Sequence, residues 1–204
     1  MSKGISTKTQ ILDQAVRMAS MTGLEGLSFG GLAKAVGMSK SGLYAHFQAK
    51  DDLQLSVLKS ASETFTETVL KPAFEKPRGE PRLIAMFENW MAHLNGNDTL
   101  PGGSVFIAAS IELDDRPGRV RDFVQSQQQR LIQTLKECAK MAVDEGHFRS
   151  DLDTEQFAWT MYCFVLGYHH FKRMLNDPKA EEHLRNSFES LVRISRNKGL
   201  KPKA

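Results

Sequence analysis

The side chains best placed to do chemistry stand near the amino end: Lys40, Ser41 and Tyr44, a cation, a hydroxyl and a phenol at i, i+1 and i+4. On a helix that spacing puts them on one side. They can offer hydrogen bonds and positive charge to an acceptor-rich polyanion such as duplex DNA. The charge distribution points the same way. Residues 1–50 hold six cations (Lys3, Lys8, Arg17, Lys34, Lys40 and Lys50) against two anions (Asp13 and Glu25), although the whole chain has a net charge of only +3. A local excess of this kind suits phosphate binding, because neutralised phosphates release counterions.

Other chemistries fail on spacing. His169 and His170 are adjacent, so they point to different helix faces and make a poor metal pair. Gly102-Gly103-Ser104 lacks the second flank of a nucleophile elbow, and no glycine-rich phosphate loop occurs. Cys138 and Cys163 form no CxxC pair and fall on apolar faces that suit inert thiols. The sequence therefore supports no enzymatic activity, no metal site and no cofactor.

A helix that serves a DNA groove must be held by its neighbours. Within residues 28–53 two short helices meet at the turn Gly37-Met38-Ser39. Ala33 supplies the small residue where the backbones cross, Gly37 the freedom for positive φ, and Leu43 the buried side chain of the second helix. This is a helix-turn-helix, which lays its second helix in the major groove. Ahead of it, Ser6 or Thr7 caps a first helix with inner face Ile11, Leu12, Ala15, Met18 and Ala19, stopped by Gly23. Ser28 caps the second helix, which ends at Gly37, and the third runs from Ser39 to about Phe47. A long fourth starts near Lys50, where Asp51 and Asp52 suit the positive helix terminus, and continues until Pro72 disturbs it.

Beyond a loop at 75–81, apolar residues keep recurring at i, i+3 and i+4, and no segment alternates with period two. The chain is expected to be all-α, with helices near 82–95, 101–113, 117–145, 153–176 and 178–197, about nine in total. Breakers at Asn95–Asp98, Asp114–Gly118, Gly146, Ser150–Asp153 and Asn176–Pro178 separate them, and residues 198–204 read as a frayed tail. This divides the protein into a three-helix DNA-binding domain, 1–50, and a larger helical domain, 51–204. With 41% hydrophobic residues the chain can bury a real core, yet no apolar stretch is long enough to span a bilayer. The expected compartment is the cytoplasm, without membrane contact.

At fixed spacing the chain carries Ser28, Leu32-Ala33, Gly37-Met38-Ser39, Leu43-Tyr44, His46-Phe47, Lys50-Asp51 and Leu53. Over residues 7–55 it resembles the DNA-binding signature of the TetR/AcrR family of bacterial regulators. The resemblance implies that Ser28, Ser39, Lys40, Ser41, Tyr44, His46 and Lys50 approach phosphates or bases, while Leu43 and Phe47 are core. Ser28 could equally do no more than cap its helix. Gly42 stands where the family often bears a side chain, so specificity leans on DNA shape.

One helix-turn-helix reads too few base pairs to find a site in a genome, so a homodimer is expected. The last two predicted helices offer Phe157, Met161, Phe164, Val165, Tyr168, Leu184, Phe188 and Leu191 as an interface; the same stripes would also serve as intramolecular core. The resemblance further implies an effector pocket among the middle helices, with Phe87, Trp90, Met91, Phe106, Leu131, Leu135, Trp159 and Cys163 as candidates. The expected function is that of a transcriptional regulator, a repressor released from a palindromic operator by a small, largely apolar molecule.

Overall fold

Capping serines, positive-φ glycines and helical apolar stripes divide the chain into α1 (Thr7–Gly26), α2 (Phe29–Val36), α3 (Lys40–Tyr44), α4 (Lys50–Phe65), a π turn (Thr66–Leu70), α5 (Lys71–Phe74), α6 (Glu80–Asn95), α7 (Val105–Glu112), α8 (Arg119–Asp144), α9 (Thr154–Arg173) and α10 (Ala180–Ser195). These elements come from a computed structural model that describes residues 7–95 and 100–197. The expected cap at Ser6, the breaker at Gly96–Asp98 and the tail at 198–204 lie outside the described residues. Because α4, the π turn and α5 follow without a gap, the described residues form nine helical rods, and their one β feature is an isolated bridge between Phe148 and Arg196. The all-α expectation is met.

Several boundaries differ from those read in the sequence; α7, for one, starts at Val105 behind a Ser104 cap rather than near 101. Gly23 does leave the helix, with φ 74 and ψ 172, but Leu24–Gly26 resume a further turn. Helix α3 ends at Tyr44 rather than near Phe47; the amides of His46 and Phe47 both donate to the Leu43 carbonyl, closing the chain into a tight turn. Pro72 sits inside α5, and the disturbance falls in the turn before it. Proline has no amide hydrogen for the carbonyl four residues back and its ring crowds that oxygen, so the helix widens into the π turn instead of stopping.

The described residues form two compact units, one from Met1–Thr66 with Ala92–Gln127, the other from Glu67–Met91 with Gln128–Ala204. In the first, Ile11, Ala15, Leu24, Leu32, Leu43, Phe47, Leu53 and Val57 share one apolar core with Val105, Ala109, Leu113 and Val124. Polar contacts fasten α7 to α1. The break at Gly23 frees backbone amides, and the Glu112 carboxylate accepts from those of Leu24 at 2.9 Å and Glu25 at 3.4 Å. The Gly102 amide donates to Ser20 Oγ at 3.1 Å. Arg119, at the start of α8, pairs with Asp51 and Asp52 in the first turn of α4 at 3.4 and 2.7 Å.

In the second unit Phe87 stacks on Phe188 with centroids 3.9 Å apart, and Phe148 meets Phe157 at 5.5 Å. Arg185 bridges Glu88 and Glu181, and Arg196 reaches Glu80. Asp153 caps α9 by accepting from the amides of Glu155 and Gln156. Among the described residues no helix is long and apolar enough to cross a membrane.

The contact at Gly102 leaves no room for a side chain, since a Cβ there would stand 1.6 Å from the Ser20 carbonyl oxygen, a main-chain atom. Gly102→Ala is therefore expected to cost about 3 kcal/mol in urea unfolding. Gly30→Ala, whose Cβ meets nothing within 4 Å, is the control and should leave the midpoint unchanged or raised. An unaltered midpoint for Gly102→Ala would contradict this packing.

Candidate DNA-binding site

Two serine caps and one glycine set the geometry of the α2–α3 pair. Ser28, with extended backbone, accepts the Gly31 amide on its Oγ at 3.1 Å, satisfying a donor that the start of α2 leaves free. Gly37 takes the left-handed conformation, φ 69 and ψ 28, and ends α2 by donating to the Ala33 carbonyl. Ser39 then caps α3 by accepting from the Gly42 amide at 3.1 Å, and its hydroxyl shares a 3.0 Å hydrogen bond with that of Ser41. Leu43 and Phe47 point into the core.

Ser28, Ser39, Lys40, Ser41, Tyr44, His46 and Lys50 are all exposed. The outward surface of α3 and its flanking turns thus presents hydroxyls, a phenol, an imidazole and cationic side chains. Gly42 adds no side chain there, and a Cβ at that position would press on Ser39 Oγ at 3.3 Å. Tyr44 is held rather than free: its ring lies flat on Phe29 of α2, centroids 4.3 Å apart and planes 10° from parallel.

Lys50 is less open than the sequence suggests. Its Nζ donates to the Glu25 carbonyl at 2.9 Å and pairs with Glu25 Oε2 at 3.3 Å. Buried Gln54 donates to the other carboxylate oxygen at 3.2 Å and to the Leu24 carbonyl at 3.0 Å, and Arg116 approaches to 3.7 Å. The Gln54 hydrogen bond, followed by Lys50 and Arg116, holds the Glu25 carboxyl below the usual carboxylate range. A phosphate that recruits Lys50 must compete with Glu25. Glu25, Gln54 and Phe29 were not singled out in the sequence, because their partners are distant along the chain, from Tyr44 for Phe29 to Arg116 for Glu25, and no local spacing signals them.

Comparison with known proteins agrees with this geometry. Residues 11–57 match the family model described as bacterial regulatory proteins, tetR family, and residues 79–188 match the tetracyclin repressor-like C-terminal domain. The chain belongs to the TetR family. It is 25% identical to the HTH-type transcriptional regulator AcrR of Shigella flexneri over 169 residues, covering 79% of this chain and 75% of that one. A TetR transcriptional regulator from Chloroflexus aurantiacus J-10-FL has the same fold, with TM-score 0.81, 22% identity and coverage of 95% and 96% of the two chains. AibR, solved in complex with isovaleryl coenzyme A and operator DNA, matches with TM-score 0.72 and 23% identity over 90% of this chain and 96% of that one. This TetR-family chain is thus a DNA-binding transcriptional regulator, a class of proteins that are not enzymes.

The other candidate residues of this TetR-family protein fall differently from the exposed set on and around α3. Phe87, Trp90, Met91 and Leu135 are buried in the second unit, Leu131 and Cys163 are half-buried there, and Phe106 is half-buried in the first unit. Trp159 is 61% exposed and lines no interior: Phe157, Ala158 and Met161 turn inward, which directs the intervening Trp159 to the outside of α9. A groove of about 630 Å³ between α6 and α10 includes only Phe87 of the pocket candidates, beside Ile84, Glu88, Arg185 and Arg193. Of the interface candidates, Phe157, Met161, Val165, Tyr168, Leu184 and Phe188 are buried within their own chain. Phe164 and Leu191 remain half-buried. Burial pushes the Cys138 thiol up to about 11, which keeps it protonated and unreactive.

Because the folded state lowers the pKa of Glu25, its contribution to stability is present above the ordinary carboxylate range and is lost as pH falls through the depressed value. The thermal midpoint of Glu25→Gln should therefore lie below that of the parent at neutral pH, and the gap should close on acidification. A gap that stays constant from pH 7 to pH 3 would rule out the Glu25 network.

Proposed function

We propose that this regulator is a repressor that grips a palindromic operator as a homodimer and releases it when a small, largely apolar effector binds. The observation that carries the DNA-facing part is the joint exposure of Ser28, Ser39, Lys40, Ser41, Tyr44 and His46 on a pair of helices whose inner faces are fully buried. Lys40 and Ser41 approach phosphates or base edges from the start of α3, Tyr44 and His46 meet the backbone or a thymine methyl, and Lys50 exchanges Glu25 for a phosphate.

In this account residues 1–50 act as the DNA-binding domain and 51–204 as the effector and dimerisation domain, in the cytoplasm. Buried Phe87, Trp90, Met91 and Leu135 supply apolar walls for an effector, with Leu131 and Cys163 at its margins. AibR, with a related fold, is known with an acyl coenzyme A and operator DNA, which supports control by a small molecule. The dimer surface passes from the enclosed residues of α9 and α10 to those facing outward, Phe164 and Leu191 together with exposed Trp159 and Ile194. Effector binding tilts Asp51–Leu70, changes the spacing of the two α3 helices and lowers operator affinity by the effector's preference for the tilted state.

Selection from a pool of random 40-base-pair duplexes tests this. The parent should enrich an inverted repeat, with half-sites about one helical turn apart, and its affinity should fall steeply between two salt concentrations. Tyr44→Ala should bind the selected duplex about tenfold more weakly. Failure to enrich any inverted repeat, or a Tyr44→Ala variant as tight as the parent, would overturn the proposal.

A further inference from the structure

We propose that Phe29 is a positioning residue for DNA reading, acting through Tyr44. The inference rests on the placement of α3 against DNA. A tyrosine that is 46% exposed ordinarily samples several rotamers, and any of them that misses the groove must be abandoned on binding. Tyr44 is restricted before any DNA arrives. One face of its ring is covered by Phe29 in a parallel stack, 4.3 Å between centroids and 10° between planes.

Phe29 can serve as such a base because it is itself fixed. It is only 8% exposed, belongs to the apolar core of the first unit and is the first residue of α2, directly after the Ser28 cap. The stack therefore ties the last residue of α3 to the first residue of α2 across fifteen positions of sequence. At Gly30, the next residue, a Cβ would meet nothing within 4 Å. The phenol hydroxyl and the uncovered ring face are the parts of Tyr44 left to meet DNA. Ordering the ring in advance removes an entropic cost from binding, and it also makes the start of α2 and the end of α3 a single platform. An aliphatic side chain could fill the volume beneath Tyr44, but only a flat ring restrains its plane.

Phe29→Leu, Phe29→Tyr and the double variant with Tyr44→Ala separate this role from simple packing, with the duplex selected by the parent from the random pool as probe. Phe29→Leu should lose about tenfold in affinity, the scale of one stacked ring pair, and Phe29→Tyr should stay within about twofold of the parent. In the Tyr44→Ala background the Phe29→Leu change should shift affinity by less than about twofold, because the partner through which it acts has gone. The Tyr44 ring protons of the free parent should show an upfield ring-current shift in NMR. Equal affinity of Phe29→Leu and parent, the same loss in both backgrounds, or unshifted Tyr44 ring protons would overturn the inference. The last measurement decides even if Phe29→Leu does not fold. A parent that binds no duplex would bring down the placement of α3 and this inference together, whereas a parent that binds while Phe29→Leu binds equally well brings down only the inference.

Discussion

A five-residue helix cannot hold itself in water, because nucleating one turn fixes more backbone dihedrals than its first hydrogen bonds repay. Helix α3 has that length, so its position is dictated by what it is attached to. Leu43 and Phe47 sink into the core, the Ser39 hydroxyl closes its first turn, and Gly37 takes the left-handed conformation that brings the chain round from α2. Every exposed group on α3 inherits its direction from these attachments. The outward surface of α3 is thus specified by the residues that anchor it.

The same dependence extends to segments distant in sequence. The core beneath α3 is shared by α4, α7 and the first part of α8, and α7 is joined to α1 by directed polar contacts as well as apolar ones. Gly23 interrupts α1, and the carboxylate that satisfies the freed amides comes from Glu112, at the end of α7. That carboxylate's hold on the Leu24 and Glu25 amides adjoins the network in which Glu25 engages Lys50 and Gln54. The helix-turn-helix is consequently one face of a larger packed body that includes residues 92–127.

Much of this was legible in the sequence where the physics is local. Ser28 and Ser39, each before an apolar stripe, announced the caps of α2 and α3, Gly37 announced the turn, and helical periodicity located the later helices to within a few residues. What could not be read depends on long-range pairing. Lys50 looks like a free cation until Glu25 is placed beside it, and Glu112 looks like an ordinary surface acid until the Gly23 break exposes amides to it. The stripes on α9 and α10 carried a further ambiguity. Apolar spacing identifies a buried face but not whether the covering surface belongs to the same chain, and Phe157, Met161 and Phe188 proved to be covered from within. Trp159 shows the converse, an aromatic at a plausible interior position that the helix turns outward.

The central claim is that the α2–α3 surface meets the DNA duplex. Amide hydrogen–deuterium exchange of the full chain, with and without the duplex it selects, tests it most directly. The account predicts slowed exchange concentrated in residues 28–50, with the strongest effect around Ser39–Tyr44. Protection that appears instead along α6, α9 or α10, with residues 28–50 exchanging as they do in the free protein, would contradict it.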